Sequence, residues 1–176
     1  MLRRPSLVTL CLGVLLATSA QAKEQPGAAL GEALKRQVAS LKGTADASRA
    51  EVKRQRASGS WDWEKYRRAH DAYREDCDAS RTLLNRIIAS ASLRSGWTAE
   101  QKAQFQAEVD RAMARLDADC AREKLAKQVF ESDRRLAQSA FEDFDQRANQ
   151  LYTALSTVLK TMNQWRRDQS AASKGL

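Results

Sequence analysis

From Trp63 onward the apolar positions fall at alternating steps of three and four. Trp63, Tyr66, His70, Tyr73, Cys77, Ser80, Leu84, Ile87 and Ala91 form one such series. That spacing returns to the same side of an α-helix at every turn, and it predicts an amphipathic helix with one buried stripe. A second series runs through Val109, Met113, Leu116 and Cys120, weakens across Glu123, Lys127 and Arg134, and recovers through Ala137, Phe141, Phe144, Ala148, Leu151, Leu155, Val158, Met162 and Trp165, with Phe130 alone inside the weak stretch. The weak stretch predicts a bend or a chain reversal. Upstream, Leu34, Val38, Leu41, Ala45 and Val52 mark a narrower stripe without an aromatic residue, which predicts the least stable helix of the set.

The breaks in the pattern are few. Pro26-Gly27, Ser58-Gly59-Ser60 and Ser95-Gly96 divide the chain, and between Trp97 and Lys174 there is neither glycine nor proline. Segments so rich in Ala, Glu, Lys, Arg, Gln and Leu favour helix, and no alternating β-branched run competes. The fold class is therefore all-α. Ser60 reads as the cap of the second helix, and Thr98-Ala99-Glu100-Gln101 reads as a capping box opening the third. Helices are expected at roughly 27–57, 60–93, 98–131 and 133–170, packed as an antiparallel up-down-up-down bundle with coiled-coil-like contacts. The alternative is a helical hairpin in which residues 98–170 form one very long C-terminal helix of about 110 Å.

The chain has 176 residues, which is one domain by length once its first segment is set aside. Arg3 and Arg4, the apolar stretch Leu7 to Ala17, and Ala20-Gln21-Ala22 have the form of a cleavable export signal. Residues 1–22 are therefore expected to be removed after Ala22, leaving residues 23–176 as a periplasmic or secreted helical domain. Cys11 would leave with the signal. The remaining pair, Cys77 and Cys120, is expected to form an intrachain disulfide in an oxidising compartment. Both cysteines fall on inward stripes assigned from periodicity alone.

The formal charge of +8 becomes +6 without Arg3 and Arg4. An exported basic protein meets anionic envelope surfaces or acidic protein faces rather than nucleic acid. The basic excess lies at the two ends of the mature chain and the acidic excess between them, so part of it serves complementarity within the bundle.

Chemical motifs are absent: there is no Gly-rich phosphate loop, no Gly-x-Ser-x-Gly elbow and no His-Glu-x-x-His pair. The lone His70 sits between Tyr66 and Tyr73 on an apolar stripe and reads as a hydrogen-bonded core histidine. Glu142, Asp143 and Asp145 crowd one helix without a loop to enclose a cation. No catalytic, cofactor-binding or metal-binding residues are assigned, and no cofactor is expected. Candidate partner-binding residues are Lys53, Arg54, Arg56 and Trp61 near one turn, and Trp165, Arg166 and Arg167 near the C-terminus, because each group sets cations beside an indole.

Two short patterns resemble known families. Trp97-Thr98-Ala99-Glu100-Gln101 resembles the Leu-Thr-x-x-Gln motif of small periplasmic helical chaperones and stress adaptors, with Trp in place of Leu and one copy where that family carries two. Asn149, Leu151, Tyr152, Leu155, Trp165, Arg167 and Asp168 resemble the C-terminal pattern of small secreted lysozyme-inhibitor-like proteins, with a shorter Tyr-to-Trp spacing and no terminal cysteine. The expected function is a non-enzymatic interaction protein of the envelope: an adaptor, inhibitor, chaperone-like protein or complex subunit whose partner is another envelope protein. An anionic envelope surface and a homodimer are the further partner options. The alternative is a helical domain that binds a small ligand with the aromatic and basic region at residues 53–73.

Overall fold

The computed structural model describes residues 26–90, 94–120 and 127–173, and these form α1 (Pro26–Ser58), α2 (Trp63–Ala89), α3 (Ala99–Cys120), α4 (Lys127–Ser132) and α5 (Arg134–Ala172). No strand occurs among the described residues, in agreement with the all-α expectation. Residues 1–22 lie outside the described set, as do residues 121–126 and the side chain of Cys120.

Helix ends follow local chemistry. Thr98 and Gln101 form the expected capping box: Gln101 N donates to Thr98 Oγ1 at 3.1 Å, and Thr98 N donates to Gln101 Oε1 at 2.9 Å. The cap of α2, however, is Asp62 and not Ser60. Asp62 has extended backbone and accepts from Lys65 N at 3.2 Å. Ser60 is held in the preceding turn, where its N–H donates to Ser58 Oγ at 3.3 Å just after Gly59 at φ 66°. The chain leaves that left-handed glycine and needs two more residues before it can enter the helix.

Asp133 decides against the alternative of one long helix over residues 98–170. Its backbone is extended, at φ −129° and ψ 103°, and its Oδ1 accepts from Arg135 N at 2.9 Å and Leu136 N at 3.1 Å. An aspartate so placed satisfies free N–H groups at the start of a new helix and ends the one before it. Residues 98–170 are therefore not one continuous helix, and the long C-terminal helix is ruled out. The interruption lies in the stretch where Glu123, Lys127 and Arg134 take stripe positions and Phe130 is the one apolar residue.

The long helices pack pairwise with falling and rising numbers. Along α1 and α2, Ser40 and Thr44 meet Asp76 while Glu51 meets Lys65 at 3.3 Å. Along α1 and α5, Gly31 lies against Met162 and Arg166, Arg49 bonds Asn149, and Arg56 pairs with Glu142 at 2.5 Å. Both pairs are antiparallel. A Cβ on Gly31 would come within 2.9 Å of Arg166 Nη1 and 3.2 Å of Met162 Cε, so the missing side chain lets α1 and α5 approach closely at this end. α3 packs on α5 and α2, and α4 packs on α5.

The main core joins Leu34, Leu41, Leu84, Ile87, Leu116, Leu151 and Leu155, all fully buried. Each such side chain contributes about 1.5–3 kcal/mol by leaving water. A second, smaller cluster of Val52, Tyr66, Phe130, Ala137 and Phe141 closes the end formed by the α1–α2 turn, α4 and the start of α5. No described helix is long and apolar enough to cross a membrane.

Candidate interaction surfaces

The α1–α2 turn gathers most of the residues the sequence singled out. Lys53, Arg54 and Arg56 are exposed on the last turns of α1. Arg54 pairs with Glu51, and Arg56 reaches across to Glu142 on α5. That contact, with a second hydrogen bond from Gln138 Nε2, holds the Glu142 carboxyl below the ordinary glutamate value. Trp61 is half-buried, its ring 5.6 Å from Phe141, and Trp63 stands 5.3 Å from Phe130. One indole therefore braces each side of the small cluster.

The fold adds residues that spacing along the chain could not bring here. Arg134, at the start of α5, lies over Gly59, where its Nη2 would be 2.8 Å from a Cβ. Val129 and Leu136 are 41% and 38% exposed, the large hydrophobics left most in water among the described residues. They lie on α4 and α5, each one residue before the buried Phe130 and Ala137. Cations and apolar side chains thus share this end of the molecule.

At the opposite end the expectation needs correcting. Trp165 is a core residue, 7% exposed, with its ring 4.7 Å from Trp97 and 5.8 Å from Phe105. It cannot serve as an outward anchor. The continuous stripe from Ala137 to Trp165 carries it inward, and Trp97 and Phe105 close over it. Arg166 and Arg167 stay at the surface beside a shallow concavity of about 560 Å³, and Arg167 donates to Gln164 at 2.6 Å.

Polar groups inside the fold are mostly engaged. His70 is 9% exposed, 4.0 Å from Asp71 and 5.9 Å from the Tyr66 ring. The space beside Tyr66 is taken by Phe130 and Phe141, at 5.2 and 5.3 Å between ring centres. Burial raises the Tyr66 phenol above its ordinary value, with Arg147 opposing and Asp143 adding to the shift. Arg147 is itself buried and pairs with Asp143 at 3.2 Å. Among the described residues no three His, Cys, Asp or Glu side chains gather as metal ligands. Glu142, Asp143 and Asp145 each face a cation of the protein instead.

Two features escaped the sequence reading. Asp76 is 8% exposed and is held by α1: Ser40 Oγ and Gln37 Nε2 donate to its Oδ1 at 2.8 and 3.1 Å, and Thr44 Oγ1 donates to its Oδ2 at 2.7 Å. The second is a groove of about 880 Å³ over the outer side of α5, with Arg49 on one wall and Arg111 and Arg115 on the other. Only the position of Ser40 and Thr44 four residues apart hinted at the first. The second joins three helices and had no local signal. No family model, curated protein or solved structure matches the chain.

Proposed function

We propose that this chain is an exported, non-enzymatic helical interaction protein, in which α1, α2, α3 and α5 form an up-down-up-down bundle and the α1–α2 end meets another envelope protein. The observation that carries this reading is the exposure of Val129 and Leu136 on the helices that close the same end of the molecule as Trp61, with Lys53, Arg54, Arg134 and Arg135 also exposed. Exposed apolar groups rimmed by charge mark interaction sites, and Trp and Arg are over-represented among the residues that carry binding energy. Export rests on the signal-like residues 1–22, and the pairing of Cys77 with Cys120 belongs to the same proposal. The small-ligand reading is weaker, because side chains already fill the space beside Tyr66.

A photocrosslinking residue at Leu136, compared with one at the exposed Thr82 on α2, tests the surface in intact cells. A discrete crosslinked species from position 136 that disappears in Trp61→Ala is the expected result. Crosslinks from position 82 alone would move the contact elsewhere.

A further inference from the structure

We infer that the groove over α5 is a docking site for an acidic helical segment of a partner protein. It is separate from the α1–α2 end and does not depend on the reading given to that end. Its lining carries Arg49 from α1 and Arg111 and Arg115 from α3 against a single carboxylate, Asp145. Arg49 is braced by Asn149 and Asp145, and Arg111 by Glu108, so both guanidiniums are held at the walls. Arg115 has no ion pair among the described residues.

Shape selects the kind of anion. From Asp145 to Ala154 the floor follows α5 for nine residue steps, about 14 Å. A lone phosphate would contact a small part of such a trough, whereas two to three turns of helix would fill it. Along α5 the lining is polar, with Gln146, Asn149, Gln150 and Thr153, and small side chains open it at Ala154 and on the α3 wall at Ala114 and Ala118, one turn apart and both exposed. Alanine at these positions allows helix axes to approach to the short end of the 8–10 Å range. An incoming helix with glutamates on both flanks would meet cations from both walls at once. Charge fixes its placement, and the α3 alanines with the α5 floor supply contact area.

The test uses the full mature chain and a labelled Ala/Glu-based helical peptide, with a Gln-for-Glu twin as the neutral probe. Binding is followed by fluorescence anisotropy at low and moderate salt. The acidic peptide should bind and its twin should not. Arg111→Glu with Arg115→Glu should weaken binding about tenfold or more, which corresponds to about 1.4 kcal/mol. Arg74→Glu with Arg86→Glu on the exposed side of α2, the same change in net charge on another surface, should change it less than about twofold. Ala114→Leu should also weaken binding, since it narrows the groove from the α3 wall without changing charge. Equal loss from both charge pairs would show general attraction to a basic protein and overturn the site. Unchanged binding in Ala114→Leu, or no binding of the acidic peptide at all, would overturn it as well.

Discussion

Arg81 on α2 and Asp117 on α3 form an ion pair of 3.0 Å, which places these two positions side by side. Cys77 precedes Arg81 by one helical turn, and Cys120 follows Asp117 by nearly one. In the proposed up-down-up-down bundle these steps lead toward each other, and Cys77 is 1% exposed. The expected outcome is an intrachain Cys77–Cys120 disulfide in protein isolated under oxidising conditions. Non-reducing peptide mapping checks it, and two titratable thiols would refute it. In the chain-entropy model the bond is worth about 4 kcal/mol, so reduction should lower the thermal midpoint markedly.

Asp76 is the strongest polar tie between α1 and α2. Three α1 side chains donate to its carboxylate, and Ser80 Oγ and Gln37 Nε2 donate to its carbonyl at 2.6 and 3.1 Å. Asp76→Ala would leave the α1 donors without that acceptor in a part-buried site, at a cost of about 2–4 kcal/mol. Urea unfolding of the variant should show a lower midpoint with an unchanged slope. A loss below about 0.5 kcal/mol would mean that water replaces the carboxylate.

What the sequence made legible was periodic. Tyr66, His70, Tyr73, Cys77, Ser80, Leu84 and Ile87 are all buried as the spacing of three and four predicts, and so is the series from Ala137 to Trp165. Burial of this kind depends only on which side of its own helix a residue occupies. Trp165 was misread because its neighbours in sequence, Arg166 and Arg167, suggested a surface, whereas its stripe already placed it inside. Asp76 was missed because a buried carboxylate is excluded by composition rules unless its partners are known, and those partners lie on another helix. The arginine-walled groove was illegible for the same reason: Arg49, Arg111 and Arg115 are ordinary surface cations until three helices bring them together.

The indole of Trp165 should behave as a core group. With Trp97 and Phe105 it closes the main core at the end where α5 meets the turn before α3. Trp165→Ala is expected to destabilise the protein by about 3–5 kcal/mol, and Arg166→Ala with Arg167→Ala by less than about 1 kcal/mol. Thermal unfolding of the two variants, side by side, checks this. Comparable losses would return Trp165 to the surface role suggested by its neighbours.

Tyr66 links stability to alkaline pH. Its side chain is 6% exposed, and burial raises the phenol above its ordinary value of 10.0, with Asp143 reinforcing and Arg147 opposing the shift. In the unfolded chain the same phenol loses its proton near pH 10. The folded state therefore binds more protons than the unfolded state between the ordinary value and the raised one. Stability falls with rising pH wherever that holds. The contribution of Tyr66 is fully present below about pH 10, and is lost as the pH climbs through the raised folded-state value. Tyr66→Phe has no proton to lose, so the difference between the two proteins isolates this group from lysines and cysteines that titrate in the same range. Urea midpoints measured from pH 8 to pH 11 should fall more steeply for the natural chain than for Tyr66→Phe, with the two curves parallel below about pH 9. Curves that stay parallel throughout would mean that the phenol reaches water in the folded state, and that Phe130 and Phe141 do not seal the cluster around it.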